Sequence, residues 1–144
     1  MLKALSIVGY LGMAGGVIVQ FATGNLFSSS PWVIAVQVGA FLLLLWARLA
    51  FGRRSFHLAA NPTEGGLVTS GPYRYIRHPI YTAFGVLSGA GMVAHWSWAS
   101  GLLGGLVAGG ALLRIFCEEV MVTGRYPEYR QYAAATWRMI PYIF

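Results

Sequence analysis

The chain has 144 residues, of which 57% are hydrophobic and only 10% charged, with a formal net charge of +6. That length holds one domain, 1–144. The charge content is far below the roughly one quarter usual for a soluble domain, which excludes a water-soluble globule and makes the bilayer the expected solvent. The basic pI of 9.9 then calls for no nucleic acid, because a basic rim facing anionic lipid accounts for it.

In chain order, the first element is Leu2 to Phe21, with one charge, Lys3, at its end. It is too long for a signal-peptide core and lacks a small-residue cleavage pattern, so it reads as an anchor. The second is Trp32 to Phe51, charged only at Arg48. Pro79 to Leu113 has no Asp, Glu, Lys or Arg. It is too long for one span of about 20 residues, and His95-Trp96-Ser97-Trp98 interrupts it with residues that favour the headgroup region. The expected fold is therefore all-α, a polytopic bundle of four transmembrane helices at about 3–22, 32–51, 79–95 and 98–120, with a cytosolic loop and a C-terminal interfacial helix. Lys and Arg occur at the amino terminus, around 48–78 and from Arg114 onward, and are absent from the connections 23–31 and 95–98. With four spans all basic segments share a face, which the positive-inside rule makes cytosolic. Both termini are then cytosolic.

Glycines recur inside the helices as Gly12-x3-Gly16, Gly85-x3-Gly89, Gly101-x3-Gly105 and Gly105-x3-Gly109. Such faces let backbones approach closely in lipid. Packing within the chain is the plain reading, and a homodimer the other. Cys117 cannot form an intrachain disulfide, and its place near the cytosolic end of a helix implies a reduced thiol. Neither it nor the three His has metal-ligand spacing.

Between helices two and three, Asn61 to Gly66 and Ser70-Gly71-Pro72 are turn signals, with Leu67-Val68-Thr69 a candidate extended stretch. A loop this long in so small a protein suggests function. Arg74, Arg77 and His78 precede Pro79, which suits a first helical turn and holds His78 at the helix mouth. A plain interfacial basic cluster is the alternative. Three of the four acidic residues come late in the chain, two as Glu118-Glu119. At the end of helix four they oppose the helix dipole. An Arg114–Glu118 pair at i, i+4 explains one of them, and a cationic ligand explains both. The tail alternates aromatic and basic residues, Tyr126, Tyr129, Arg130, Tyr132, Trp137 and Arg138, which fits an interfacial amphipathic helix, a cap over a cytosolic pocket, or both.

The pattern G-P-Y-R-Y-x-R-H-P-x-Y at 71–81, a hairpin, Glu118-Glu119, then Tyr129-x-x-Tyr132 and Arg138 before Ile140-Pro141 resembles the isoprenylcysteine carboxyl methyltransferase family and the related small phospholipid methyltransferases. The resemblance spans about 61–141. It implies an integral membrane methyltransferase using S-adenosylmethionine, with a cytosolic-side cofactor pocket and a lipophilic acceptor entering from the bilayer: an isoprenylcysteine-like carboxylate, or a lipid or small amphiphile head group. It implies that His78 and Tyr81 line the cofactor pocket, that Glu118 and Glu119 hold polar groups of the cofactor, and that Arg138 faces the acceptor. The cofactor's α-carboxylate needs donors, which Arg77, His78 or the N-terminus of helix three supply; Tyr73, Tyr129 and Tyr132 complete the expected cofactor-binding set, and Arg138, Glu119 and His78 are the expected catalytic residues. No metal is implied. Ala83 stands where the family usually has Gly, and Tyr126-Pro127 where it has Phe-Gly. The extra helices of eukaryotic members are absent, which favours a bacterial or archaeal inner membrane over the endoplasmic reticulum and argues against a prenylated protein substrate. Two other readings compete: a membrane NADPH-dependent reductase of sterol-reductase type, whose C-terminal pattern also closes on Ile-Pro-Tyr, and a non-catalytic membrane scaffold.

Overall fold

A computed structural model describes residues 1–52 and 66–144. The turn signals at 61–65 lie outside the described residues. The described residues form five α-helices: α1 (Leu2–Ala22), α2 (Pro31–Phe51), α3 (Pro79–Ala94), α4 (Trp98–Arg125) and the short α5 (Tyr129–Ala134). A 3-10 turn, Gly71–Arg74, precedes α3. No strand occurs among the described residues; the one β feature is an isolated parallel bridge between Ile76 and Trp137. Residues 67–69 carry no regular element.

The helices bury their small and polar residues and expose their large apolar ones. In α1 the buried stripe is Ser6, Gly9, Met13, Gly16 and Gln20, while Leu5, Val8, Leu11, Ile18 and Phe21 point outward. A helix in water shows the reverse; here the surrounding solvent is apolar and close backbone packing supplies the association. α1 packs chiefly on α4, α2 on α3, and α3 on α4. At the α1–α4 contact a Cβ on Gly110 would sit 2.5 Å from the Gly9 carbonyl oxygen, and one on Gly16 2.6 Å from Val107 Cγ2. Gly12 also faces α4, at Leu106, so this glycine pair packs within the chain. Gly89, Gly105 and Gly109 have nothing within 4 Å.

Among the described residues three helices, α1, α2 and α4, are long and apolar enough to cross a membrane. α3 is apolar but has 16 residues, about 24 Å at 1.5 Å per residue against a hydrocarbon core of about 30 Å. Its outer end is covered instead of extended. The 23–30 connection folds over it, with the Leu26 carbonyl against Gly91 and the Phe27 carbonyl 2.7 Å from His95 Nε2. Beneath it, Gln37 Nε2 donates to the Leu26 carbonyl at 2.6 Å and Ser88 Oγ to Gln20 Oε1 at 2.7 Å. The turn at 95–97 ends in a reciprocal Ser97–Ser100 capping box that starts α4.

α4 runs five residues beyond the expected end at 120. Glu118 and Glu119 therefore sit nearly two turns inside the helix, where the dipole effect, confined to the last turn, does not reach them. The helix stops where Tyr126 precedes Pro127: proline disfavours helical backbone in the residue before it, and Tyr126 is extended at φ −122° and ψ 99°. The buried core is Met13, Tyr81, Val107, Ala111 and Ile115, with Tyr10, Val17, Phe84 and Met139 packed around it. Cys117 is buried and unpaired.

Candidate active site

The site is built at the end of the bundle shared by the start of α1, the mouth of α3, the last turns of α4, and the tail. Gly71 opens the 3-10 turn with φ +59°, and a Cβ there would meet Ala50 Cβ at 2.8 Å and Trp46 Nε1 at 3.2 Å. Both the backbone angle and the space demand glycine, and the turn is thereby seated on α2. Tyr73 follows, buried, with its ring 5.4 Å from Phe51. His78 is the residue before α3 and Pro79 its first, as the sequence pattern predicts.

The tail is zipped onto this segment. Trp137 N donates to Tyr75 O at 3.0 Å, Arg77 N to Trp137 O at 2.7 Å, and His78 N to Arg138 O at 2.9 Å. Thr82 Oγ1 donates to Met139 O at 3.0 Å, and Tyr132 OH to Tyr73 O at 2.7 Å. Tyr129 and Tyr132 lie on α5 with ring centroids 5.8 Å apart, sharing the face their i, i+3 spacing predicts. Burial pushes the Tyr132 phenol up to about 12, with Arg77 opposing. It also raises Tyr73 and Tyr129, the latter further raised by the charge of Glu119. All three stay neutral at physiological pH.

The two glutamates hold different partners. Glu119 Oε1 accepts from Arg77 Nε at 3.0 Å and lies 3.3 Å from His78 Nε2; its Oε2 accepts from Arg138 Nε at 3.0 Å. Glu118 Oε1 accepts from Tyr81 OH and from Arg114 Nε at 3.1 Å. His78 Nδ1 lies 3.8 Å from Glu118 Oε2, beyond hydrogen-bond length, and this oxygen has no hydrogen bond among the described residues. The Glu118 side chain is 23% exposed and Glu119 15%. His78 stands between the carboxylates, stacked at 5.7 Å on Tyr81. Arg138 is 45% exposed and lies over the Phe144 ring.

The candidate site residues Tyr73, Arg77, His78, Tyr81, Glu118, Glu119, Tyr129, Tyr132 and Arg138 are thus brought to one end of the bundle. Tyr73 stands at the edge, linked through its carbonyl. The protein supplies cations to both carboxylates, beyond the one Arg114–Glu118 pair that spacing foretells. Sequence reasoning gave too little weight to Arg114, which is buried, donates to Tyr81 OH at 2.6 Å and to Ser6 O at 3.4 Å, and stacks on Tyr10 at 5.0 Å. The signal was present: a lone arginine inside an apolar run marks a functional or paired position. Tyr10 carried no such signal, nor did Thr136, which accepts from Arg77 through its carbonyl.

The model of the isoprenylcysteine carboxyl methyltransferase (ICMT) family matches residues 32–123, well over half of the chain. The chain belongs to that family. ICMT membership, with three helices apolar enough to span, makes it an integral membrane methyltransferase, and the family's enzymes generally use S-adenosylmethionine. The match favours neither the reductase nor the scaffold alternative. No curated protein and no solved structure matches the chain. The ICMT match covers α2, α3 and most of α4, and leaves out α1, α5 and Arg138.

Proposed function

We propose that the protein transfers a methyl group from S-adenosylmethionine to a lipophilic acceptor whose head group lies at the cytosolic interface. The acceptor's reactive end is an isoprenylcysteine-like carboxylate or the head of a lipid or small amphiphile. One observation carries the reading: three segments distant in sequence, 75–78, 118–119 and 137–139, meet at one end of an apolar bundle around the partly exposed Glu118 side chain, whose Oε2 has no hydrogen bond among the described residues. In this reading α3 also crosses the bilayer, giving four spans, and the site end with both termini faces the cytosol.

The donor set fits the cofactor. A sulfonium and an ammonium need negative charge, and Glu118 Oε2 offers it beside His78 and Tyr81. The cofactor supplies a methyl group activated by the positive sulfur. The chain's task is alignment: the tail and the mouth of α3 hold the reactants, and such ordering is worth effective molarities of about 10⁵–10⁸ M. Enclosure by Tyr73, Tyr129 and Tyr132 excludes water, which strengthens each electrostatic contact. In this reading Arg138, nearly half exposed, meets an anionic or phosphate-bearing head group. A carboxylate acceptor needs no base; for an amine, His78 or one of the two glutamates takes the proton.

The test is transfer of a labelled methyl group from the cofactor to a membrane extract, followed by identification of the labelled product. Arg138→Ala is expected to lower transfer at least tenfold, the effect of losing about 1.4 kcal/mol, while cofactor affinity changes little. A label that never leaves the cofactor in the presence of lipid extract sinks the proposal.

A further inference from the structure

The geometry points to Arg77 as a positioning residue, a staple that fixes the tail over the site without itself touching the cofactor. The inference rests on the cofactor reading above and assigns Arg77 a role other than direct contact with the cofactor.

The guanidinium is nine-tenths buried and committed to three elements. Nε donates to Glu119 on α4 at 3.0 Å. Nη1 donates to the Ala133 carbonyl at 2.8 Å and to the Thr136 carbonyl, with Thr136 Oγ1 at 3.4 Å. Ala133 is in α5, and Thr136 lies just beyond its C-terminal end. The last carbonyls of a helix lack partners within it, and a planar guanidinium suits several acceptors at once, as an ammonium does not. Arg77 thus closes the end of α5 while its own backbone N–H pairs with Trp137 O at 2.7 Å. One residue joins the mouth of α3, the flank of α4 and the tail. That join sets where Arg138, Tyr129 and Tyr132 stand. Among the described residues only Nη2 has no protein acceptor, so the rival role is a contact from Nη2 to the cofactor's α-carboxylate.

Two measurements separate these roles, on Arg77→Ala and on the milder Arg77→Lys. The first is amide hydrogen exchange of the cofactor-free protein in nanodiscs. Loss of the staple frees the 75–78 and 133–139 segments together, so both exchange at least about tenfold faster in Arg77→Ala, in line with the loss of charge-assisted hydrogen bonds. α1 and α2 keep their protection, and Arg77→Lys is intermediate because it retains the pairing with Glu119. The second measurement compares binding of S-adenosylmethionine with that of its analogue lacking the α-carboxylate. A staple lowers both affinities by the same factor. Unchanged exchange in both variants, or a loss confined to the carboxylate-bearing ligand, overturns the inference. If the wild-type protein binds neither ligand, the cofactor reading fails by itself, and the exchange experiment still decides the staple.

Discussion

Glu118 and Glu119 are neighbours in sequence yet answer to different forces. Glu119 is enclosed by Arg77, His78 and Arg138, whereas Glu118 keeps one oxygen without a hydrogen bond among the described residues. Glu118→Gln is therefore expected to weaken S-adenosylmethionine binding by about 1.5–3 kcal/mol, the range for a charged hydrogen bond, with the fold intact. Glu119→Gln is expected to loosen the tail and lower thermal stability first. Calorimetry paired with unfolding in detergent checks this, and equal profiles for the two variants would refute it. Tyr132 gives a pH prediction. Its phenol titrates near 10 unfolded and at about 12 folded, so the stability tied to the neutral form is complete below pH 10 and is lost as pH rises through 12. Tyr132→Phe removes that part of the alkaline loss. The difference in melting temperature between wild type and Tyr132→Phe is expected to shift between pH 10 and pH 12 and to be constant below pH 9.

The helices were legible because their punctuation is local. Pro31, Pro79 and the Ser97-Trp98 turn mark starts within a few residues of where α2, α3 and α4 begin. The end of α4 was misread because apolarity fades at Glu118 while the helix persists until Tyr126-Pro127 stops it. Backbone conformation, not hydropathy, sets that boundary. The pairing of helices was not legible either. Nothing in the spacing of Gly9 or Gly110 says that they face each other, since the contact joins residues far apart in sequence. It makes a sharp prediction. Gly110→Ala places a Cβ 2.5 Å from the Gly9 carbonyl oxygen and is expected to cost about 1–3 kcal/mol by overpacking. Gly105→Ala, with open space around it, is expected to be neutral or slightly stabilising through helix propensity. Unfolding of the two variants in one detergent compares them directly.

At the scale of the whole molecule, the sequence pointed to the gathering of the site but not to its internal pairing. The R-H-P motif, the glutamate pair and the tail stand out as the chain's few ionisable clusters, so their meeting at one bundle end follows from a hairpin between them. Which arginine serves which carboxylate depends on side-chain reach in three dimensions, and no pattern of residue types encodes it. Orientation in the membrane is testable as a unit: reporter fusions after residue 144 and within 23–31 are expected to report opposite sides, with the C-terminal reporter cytosolic. Reporters on the same side would end the four-span proposal.

The α1–α4 contact also has a consequence for biogenesis. α1 is synthesised 96 residues ahead of the start of its partner, Leu2 against Trp98. At about 5–20 residues per second it waits roughly 5–20 s with Ser6, Gly9, Gly16 and Gln20 uncovered in the bilayer. During that interval its most adhesive stripe is open to any neighbouring helix, including α1 of another nascent copy. Arg114 likewise enters the membrane needing the Ser6 carbonyl and the Tyr10 ring already in place. Residues 137–139, which complete the site, emerge after all four long helices. The gathered cluster of side chains is therefore complete only once residues 137–139 have emerged and paired with Tyr75, Arg77 and His78.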